Sequence, residues 1–408
     1  MPKAFGLDFG TTNSAVACAT SAGVATTPVH RSVLYFEHRK PTTTGNAAID
    51  RYLAANEKGR LMQSLKSLLA SRLFTGTNVY GRQYSLEDLL AIFLRDLHKT
   101  AEQQFGAFEG PVVVGRPVRY SQASSDEDNQ FAVERLRMAL EKAGIGPVVF
   151  EFEPVAAAYF YANTLDHSEL IIIGDFGGGT SDFSLLRVGP GQRTILGSDG
   201  VALAGDAFDS RMVRRMVSPM LGLGSEYRSL DKVLPMPVWV YSDLERWHYL
   251  SLLKSNDVIN MLRTIHHSSL VPERIASLIH VVEEDLGFYL HRSIQEAKVQ
   301  LSAQMSTDFR FEDGAIDIQQ ALERGQFEDW ISTDLSDIKS CIDRLLATAG
   351  VKPADVDHVF LTGGSSLVPA VRRIFDAVFG AEKLTSGSEF TSVAQGLALK
   401  ALELQTGG

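Results

Sequence analysis

A chain of 408 residues with 45% hydrophobic and 22% charged residues has the balance of an ordinary globular protein and the length for more than one core. Its net charge of −10 argues against a broad nucleic-acid-binding face, which needs clustered Lys and Arg to neutralise many phosphates. Only Cys18 and Cys341 are present, in no metal-type spacing, so the sequence supports neither a disulfide framework nor a thiolate zinc site, and two buried free thiols suit a reducing cytoplasm.

The N-terminus runs from Met1-Pro2-Lys3 into the apolar stretch Ala4 to Phe9, too short and too soon broken by Asp8 for a signal sequence. No apolar run approaches the ~20 residues of a membrane-spanning helix. The expectation is a cytoplasmic protein with neither nucleic acid nor membrane as partner. A strand, a polar turn at Gly10 to Ser14 and a second strand from Ala15 to Ala19 read as a hairpin. Leu61, Leu65, Leu68 and Leu69 predict a helical region over Tyr52 to Gln104. Then come a strand at Val112 to Val114, a helix from Asp128 to Ala143, a strand at Val148 to Phe152 and an alanine-rich helix from Pro154 to Asn163 with Pro in its first turn.

Leu170 to Ile173, the glycine-rich Gly174 to Ser181, and Asp182 to Val188 repeat the strand-turn-strand pattern of the N-terminus, so two such units, headed by Asp8 and Asp175, predict a duplicated α/β domain. Phe208 to Ser302 reads as mostly helical, broken at Leu221 to Ser225 and at Pro235 to Pro237. Val359 to Thr362, Gly363-Gly364 and Pro369 to Phe379 form a strand, a glycine turn and a helix, and a last helix runs from Thr391 to Leu404.

In Gly6-Leu-Asp-Phe-Gly-Thr-Thr-Asn-Ser14 a carboxylate ends a strand ahead of a turn of small residues whose backbone N–H groups can face an anion. In Gly174-Asp-Phe-Gly-Gly-Gly-Thr-Ser-Asp182 three glycines allow close approach to phosphate, while Asp175 and Asp182 bracket the loop and can orient the water shell of Mg²⁺. The P-loop and dinucleotide glycine motifs are absent from the sequence, and Ser-x-x-Lys at Ser251 to Lys254 and Ser336 to Lys339 has no lactamase-type companions.

Gly6 to Ser14, Glu153-Pro-Val-Ala-Ala-Ala158, Gly174 to Asp182 and Val359 to Pro369, in that order, resemble the nucleotide-binding domain of the heat-shock protein 70 (DnaK) chaperones, within the actin-like ATPase superfamily. Met62 to Ser67 and Val114 to Val118 resemble the short, DnaK-related YegD-type proteins. The resemblance implies the actin-like ATPase (ribonuclease H-like) fold, two duplicated lobes closing on Mg·ATP. Lobe I would span 1–167 (core 1–30 and 106–167, accessory subdomain 31–105). Lobe II would span 168–384 (core 168–203 and 326–384, an enlarged helical accessory subdomain 204–325), with 385–408 returning to lobe I.

The same resemblance implies roles. Asp8 and Asp175 would hold Mg²⁺ through water. Gly10, Thr11, Thr12 and Asn13, with Gly177, Gly178 and Gly179, would hold the phosphates, and Lys66 would neutralise the terminal one. Glu153, Asp182 and Thr180 would surround the attacking water. Gly205, Lys298, Ser302, Gly363, Gly364 and Ser365 would take the nucleoside of ATP or ADP, Lys298 and Ser302 sharing one helix face. Read from spacing alone, Lys66 is a solvated lysine on an amphipathic helix, and Glu153 an acidic residue at a helix N-terminus.

The chaperones place an Arg flanking adenine where this chain has Leu367, and an acidic residue where it has Phe390. They continue into a β-sandwich that grips peptide, which is expected to be lacking here, leaving the protein client or co-factor unknown. Met212 to Ile294 is longer than the family's equivalent. It is read either as a partner surface or as an enlarged subdomain with Trp239 and Trp247 in its core. The leading expectation is a DnaK-like, Mg-dependent ATPase of chaperone type. The alternatives are a nucleotide-gated interaction module with little hydrolysis and a small-molecule kinase of the same superfamily.

Overall fold

The computed structural model describes residues 2–55, 59–162, 165–246, 253–284, 286–385 and 392–406; Trp247, Phe390 and Thr391 lie outside them. It divides into two compact units, Met1–Ala204 with Asp337–Leu367 and Val371–Gly408, and Gly205–Ser336 with Val368–Ala370.

The first unit holds two mixed sheets of the same design. In the first, Ala4–Phe9 pairs antiparallel with Asn13–Thr20 and parallel with Val112–Arg116, which pairs parallel with Val148–Phe152. In the second, Glu169–Phe176 pairs antiparallel with Ser181–Gly189 and parallel with His358–Thr362, which pairs parallel with Leu384–Thr385. Gln192–Val201 extends the second sheet beyond Ser181–Gly189, as Gly23–Thr26 extends the first beyond Asn13–Thr20. Sequence repetition thus becomes repeated topology, and both central strands are buried along nearly their whole length, with apolar runs ahead of Asp8 and Asp175, because both of their faces are covered.

Two helices fill the space between the sheets. Glu153–Ala162 packs on the second sheet, Ser392–Thr406 on the first, and the two pack on each other. Their shared core is small on the helix side, Ala156, Ala158 and Ala401, and branched on the sheet side, Val113, Ile171 and Ile173. The approach is close enough that a Cβ on Gly396 would stand 1.7 Å from the Ala156 carbonyl oxygen, and one on Gly6 2.2 Å from the Ala398 nitrogen. Cys18 and Cys341 are both free and buried.

The region expected to be helical from Tyr52 to Gln104 is not one helix. Gly45–Ala54 is helical; Arg60–Gln63 is a strand on Val33–Phe36, Leu65–Leu68 a single 3-10 turn, Gly76–Val79 and Arg82–Ser85 a hairpin, and Leu86–Phe105 the one long helix. The hairpin turns through Tyr80 and Gly81, both at positive φ, with the Gly81 N–H donating to Asn78 Oδ1, so local turn chemistry outweighs leucine spacing. Ser85 caps the long helix with a reciprocal pair of hydrogen bonds to Asp88.

In the second unit the helices Gly205–Met212, Val238–Leu244, Asn256–Ser268, Pro272–Glu283 and Gly287–Ala303 answer the helical expectation, and the break after Leu221 falls at Gly222 and Gly224, both at positive φ. Two hairpins correct it: Glu226–Ser229 with Lys232–Pro235, and Ser306–Asp313 with Ile316–Glu323. Trp239 is not core, being 45% exposed. On its short helix Val240, Tyr241 and Leu244 point inward, and Trp239, two positions before Tyr241, faces the other way. Among the described residues no helix is long and apolar enough to cross a membrane.

Candidate functional site

The two Asp-headed hairpins match residue for residue. Phe9 faces Ser14 across the first turn and Phe176 faces Ser181 across the second, leaving the four-residue loops Gly10 to Asn13 and Gly177 to Thr180. One register position further back Asp8 faces Ala15, whereas Asp175 faces Asp182. The duplication is therefore broken at one place, where the second hairpin gains a carboxylate.

Each turn is internally braced. The Gly177 N–H donates to the Thr180 carbonyl at 2.9 Å. The Gly10 N–H donates to Ser14 Oγ, and the Ser32 hydroxyl donates to the Gly10 carbonyl at 2.8 Å. Arg31 holds Asn13 Oδ1 at 3.2 Å, and the Ser32 N–H binds the Thr12 carbonyl. Thr11 and Thr12 are half-buried at the tip. Nothing stands within 3.4 Å of where a Cβ would sit on Gly177 or Gly179, so these glycines leave a cradle of accessible backbone.

Lys66 reaches the site from the 3-10 turn. Ser64 reverses the chain at φ 50°, and the Ser67 N–H and hydroxyl both return to the Ser64 carbonyl. Leu65 and Leu69 enter the core, leaving Lys66, 8% exposed, with its ammonium 2.7 Å from Glu153 Oε1. It is a buried paired lysine, which overturns the reading as a solvated one on an amphipathic helix. Glu153, itself 8% exposed, opens its helix where the strand Val148–Phe152 ends, and Gly115 makes room for it: a Cβ there would stand 3.2 Å from Glu153 Cγ.

The carboxylates converge on this pair. Burial, then the charges of Glu153 and Asp175 against the pull of Lys66, raise the Asp8 pKa to about 8. Burial and Glu153 raise Asp175 to about 6, opposed by the Thr362 hydroxyl, which donates to its Oδ1 at 2.8 Å. Asp182 is pushed up to about 8 by burial, Asp175 and Glu153, with a Thr180 hydrogen bond opposing. Burial pulls the Lys66 pKa down, but the Glu153 and Asp8 charges outweigh it and the net shift is upward. Four carboxyls and one ammonium therefore share one enclosed space with an excess of negative charge.

The third glycine turn closes on the second hairpin. Gly363 has φ 81°, and a Cβ on it would stand 2.0 Å from the Phe176 carbonyl oxygen. Gly364 begins the 3-10 turn Gly364–Leu367, Ser365 is buried, and Leu367 is 40% exposed. In the second unit Lys298 sets its ammonium 2.7 Å from Asp209 Oδ1 and 3.2 Å from the carbonyl of Gly205, while the Ser302 hydroxyl donates to the Lys298 carbonyl. The structure thus gathers Asp8, Lys66, Glu153, Asp175, Thr180 and Asp182 into one site, and Gly205, Lys298 and Ser302 into one group of their own. Sequence reasoning missed Thr362, the space-making Gly115 and Gly200, where a Cβ would stand 2.6 Å from Asp182 Oδ1; the register of Thr362 opposite Asp175 shows only once the strands are paired.

The donor set suits a small hard cation. Its groups are carboxylate oxygens, their charge is in excess, and Mg²⁺ binds through few carboxylates and several waters. Among the described residues no three His, Cys, Asp or Glu side chains are grouped to hold a metal directly.

A family described as Hsp70 protein matches residues 44–221 and 285–407, about three quarters of the chain. The chain is 25% identical to a "Chaperone protein DnaK" of Thermosipho melanesiensis, covering 97% of this chain and 58% of that protein. It is 24% identical to a "Chaperone protein dnaK1" of a Nostoc species, covering 98% and 54%. The chain thus spans little more than half the length of these curated relatives. Members of the matching family have the actin-like ATPase fold read from the sequence and bind ATP or ADP.

Proposed function

The chain belongs to the Hsp70 family, and we propose that it binds Mg·ATP at the Asp-headed hairpins and hydrolyses it there as a DnaK-like, chaperone-type ATPase. The observation that carries this is the single buried ammonium of Lys66 set among Glu153, Asp8, Asp175 and Asp182 beside two glycine turns. A purely structural ion pair would not gather three further buried carboxyls around it, because each costs desolvation and repels the others.

The backbone N–H groups of Gly10 to Asn13 and of Gly177 to Gly179 grip the phosphates. Lys66 neutralises charge on the terminal phosphate. Asp8 and Asp175 would hold Mg²⁺ through its waters, where it would supply Lewis-acid screening of the phosphate oxygens. Glu153, Asp182 and Thr180 orient the attacking water, and Glu153 can accept its proton, since phosphoryl transfer asks mainly for positioning and charge stabilisation. Gly363, Gly364 and Ser365 take the nucleoside, with Leu367 offering adenine an aliphatic neighbour. The proposed setting is the cytoplasm, the proposed kinship the short YegD-type proteins, and the partner a protein client.

Glu153→Gln tests the assignment. Single-turnover phosphate release should fall by about a hundredfold or more, with ATP still bound, since a positioned base contributes 10²–10⁴-fold. Unchanged release would refute it.

A further inference from the structure

The first turn carries a brace that the second lacks. The Gly10 N–H donates to Ser14 Oγ at 3.2 Å, the hydroxyl oxygens of Ser14 and Ser32 lie 2.8 Å apart, and the Ser32 hydroxyl donates to the Gly10 carbonyl at 2.8 Å. A serine hydroxyl has one hydrogen to give, so with that of Ser32 committed to Gly10 the hydrogen between the two serines comes from Ser14. The three bonds form a closed ring that leaves from the Gly10 N–H and returns to the Gly10 carbonyl. Both serines are buried, which keeps water from competing for these bonds.

Ser32 holds a second carbonyl of the same turn, its own N–H donating to that of Thr12 at 2.9 Å. It is brought there by the strand His30–Arg31, which pairs antiparallel with Asn13 and Ser14. A trans peptide is planar, with its C=O and N–H on opposite sides. Holding the carbonyls of Gly10 and Thr12 therefore fixes the direction of the N–H groups of Thr11 and Asn13, which point away from Ser32. Among the described residues no acceptor takes the Thr11 N–H.

The second hairpin provides an internal comparison. Ser181 occupies the position of Ser14, each facing a phenylalanine across its turn, but the Ser181 hydroxyl donates to the Leu203 carbonyl at 2.8 Å, outside the turn. A serine at that position does not make the ring on its own; Ser32 completes it.

We propose that Ser32 is a positioning residue for nucleotide binding, locking the first turn in the shape that presents the Thr11 and Asn13 N–H groups to phosphate before the nucleotide arrives. This rests on the ATP-binding reading above and narrows it, because the Gly10 N–H is spent in the ring and the donors left for phosphate lie beyond it.

The test is calorimetry of Mg·ATP with wild type, Ser14→Ala, Ser32→Ala and the double variant, with the ligand-free melting midpoint of each as the control for folding. Ser32→Ala, which frees the Gly10 carbonyl, should lose about tenfold in ATP affinity, or 1.4 kcal/mol, and Ser14→Ala, which only loosens Ser32, about threefold. The double variant should lose about tenfold and not the roughly thirtyfold of independent bonds, since an opened ring cannot be opened twice. Ser32→Thr, which keeps the hydroxyl, should bind ATP within about threefold of wild type. If Ser32→Ala does not fold, Ser14→Ala and Ser32→Thr carry the test. A ring that serves the fold alone would lower the midpoints and leave ATP affinity unchanged, which overturns the proposal; so do losses that multiply in the double variant, and a Ser32→Thr variant as weak as Ser32→Ala. A wild type that binds no ATP refutes the ATP reading itself and the proposal with it.

Discussion

Replacing Lys66 by methionine removes the ammonium paired with Glu153 and leaves four buried carboxyls, those of Asp8, Glu153, Asp175 and Asp182, together. Breaking a buried ion pair by removing one partner costs about 3–5 kcal/mol. The cost depends on pH, and its sign follows from linkage. Lys66 lowers the pKa of Asp8, Asp175 and Asp182, so without it their folded values rise further above the ordinary 3.8. A carboxyl whose folded pKa is raised gives stability that is fully present below its unfolded pKa and lost as pH rises through the folded one. Lys66 itself has a folded pKa above 10.5, so its own contribution is constant at neutral pH. Urea denaturation without nucleotide or Mg²⁺ should therefore show a smaller loss for Lys66→Met at about pH 6 than at about pH 8.5, by about 1.4 kcal/mol per pH unit for each carboxyl still titrating. Adding Glu153→Gln should return part of the loss, because the double variant no longer strands a paired charge. A loss below about 1 kcal/mol at both values, or one that shrinks as pH rises, would refute the electrostatic account of the site.

Asp182→Asn should flatten the pH dependence of the ligand-free protein. Wild type should lose stability between about pH 4 and 8, where the folded Asp182 still holds the proton its unfolded form has given up, and the variant should lose about 1.4 kcal/mol less per unit, read from urea midpoints. Gly396→Ala should lower the thermal midpoint by several degrees, corresponding to about 1–3 kcal/mol or more, because the new methyl meets the fixed carbonyl of Ala156 and not a side chain able to turn away.

Much of this was legible in the chain itself. The two Asp-Phe-Gly turns announced the duplicated sheets because strand and turn chemistry are local, and the register of Phe9 with Ser14 and Phe176 with Ser181 follows from a four-residue loop. The helix expected from Asp128 to Ala143 starts two residues earlier, at Asp126 behind the Ser125 cap, and ends as expected before Gly144, while Pro369–Phe379 has its expected bounds. Lys66 was misplaced because leucine spacing at Leu61, Leu65, Leu68 and Leu69 satisfies a helix and also a strand followed by a single turn; only pairing with Val33–Phe36, distant in sequence, decides between them. Of the two readings of Trp239, the core one fails for a related reason, since on a seven-residue helix a shift of one or two positions exchanges the buried face for the exposed one.

The measurement that bears most directly on the central claim is isothermal calorimetry of ATP with wild type and Asp175→Ala, each with and without Mg²⁺. Wild type should bind ATP more tightly with Mg²⁺ than without it, and Asp175→Ala should lose most of that Mg²⁺-dependent gain. Absence of ATP binding by wild type, or an Asp175→Ala variant that responds to Mg²⁺ as wild type does, would contradict the assignment of the Asp-headed hairpins as a Mg·ATP site.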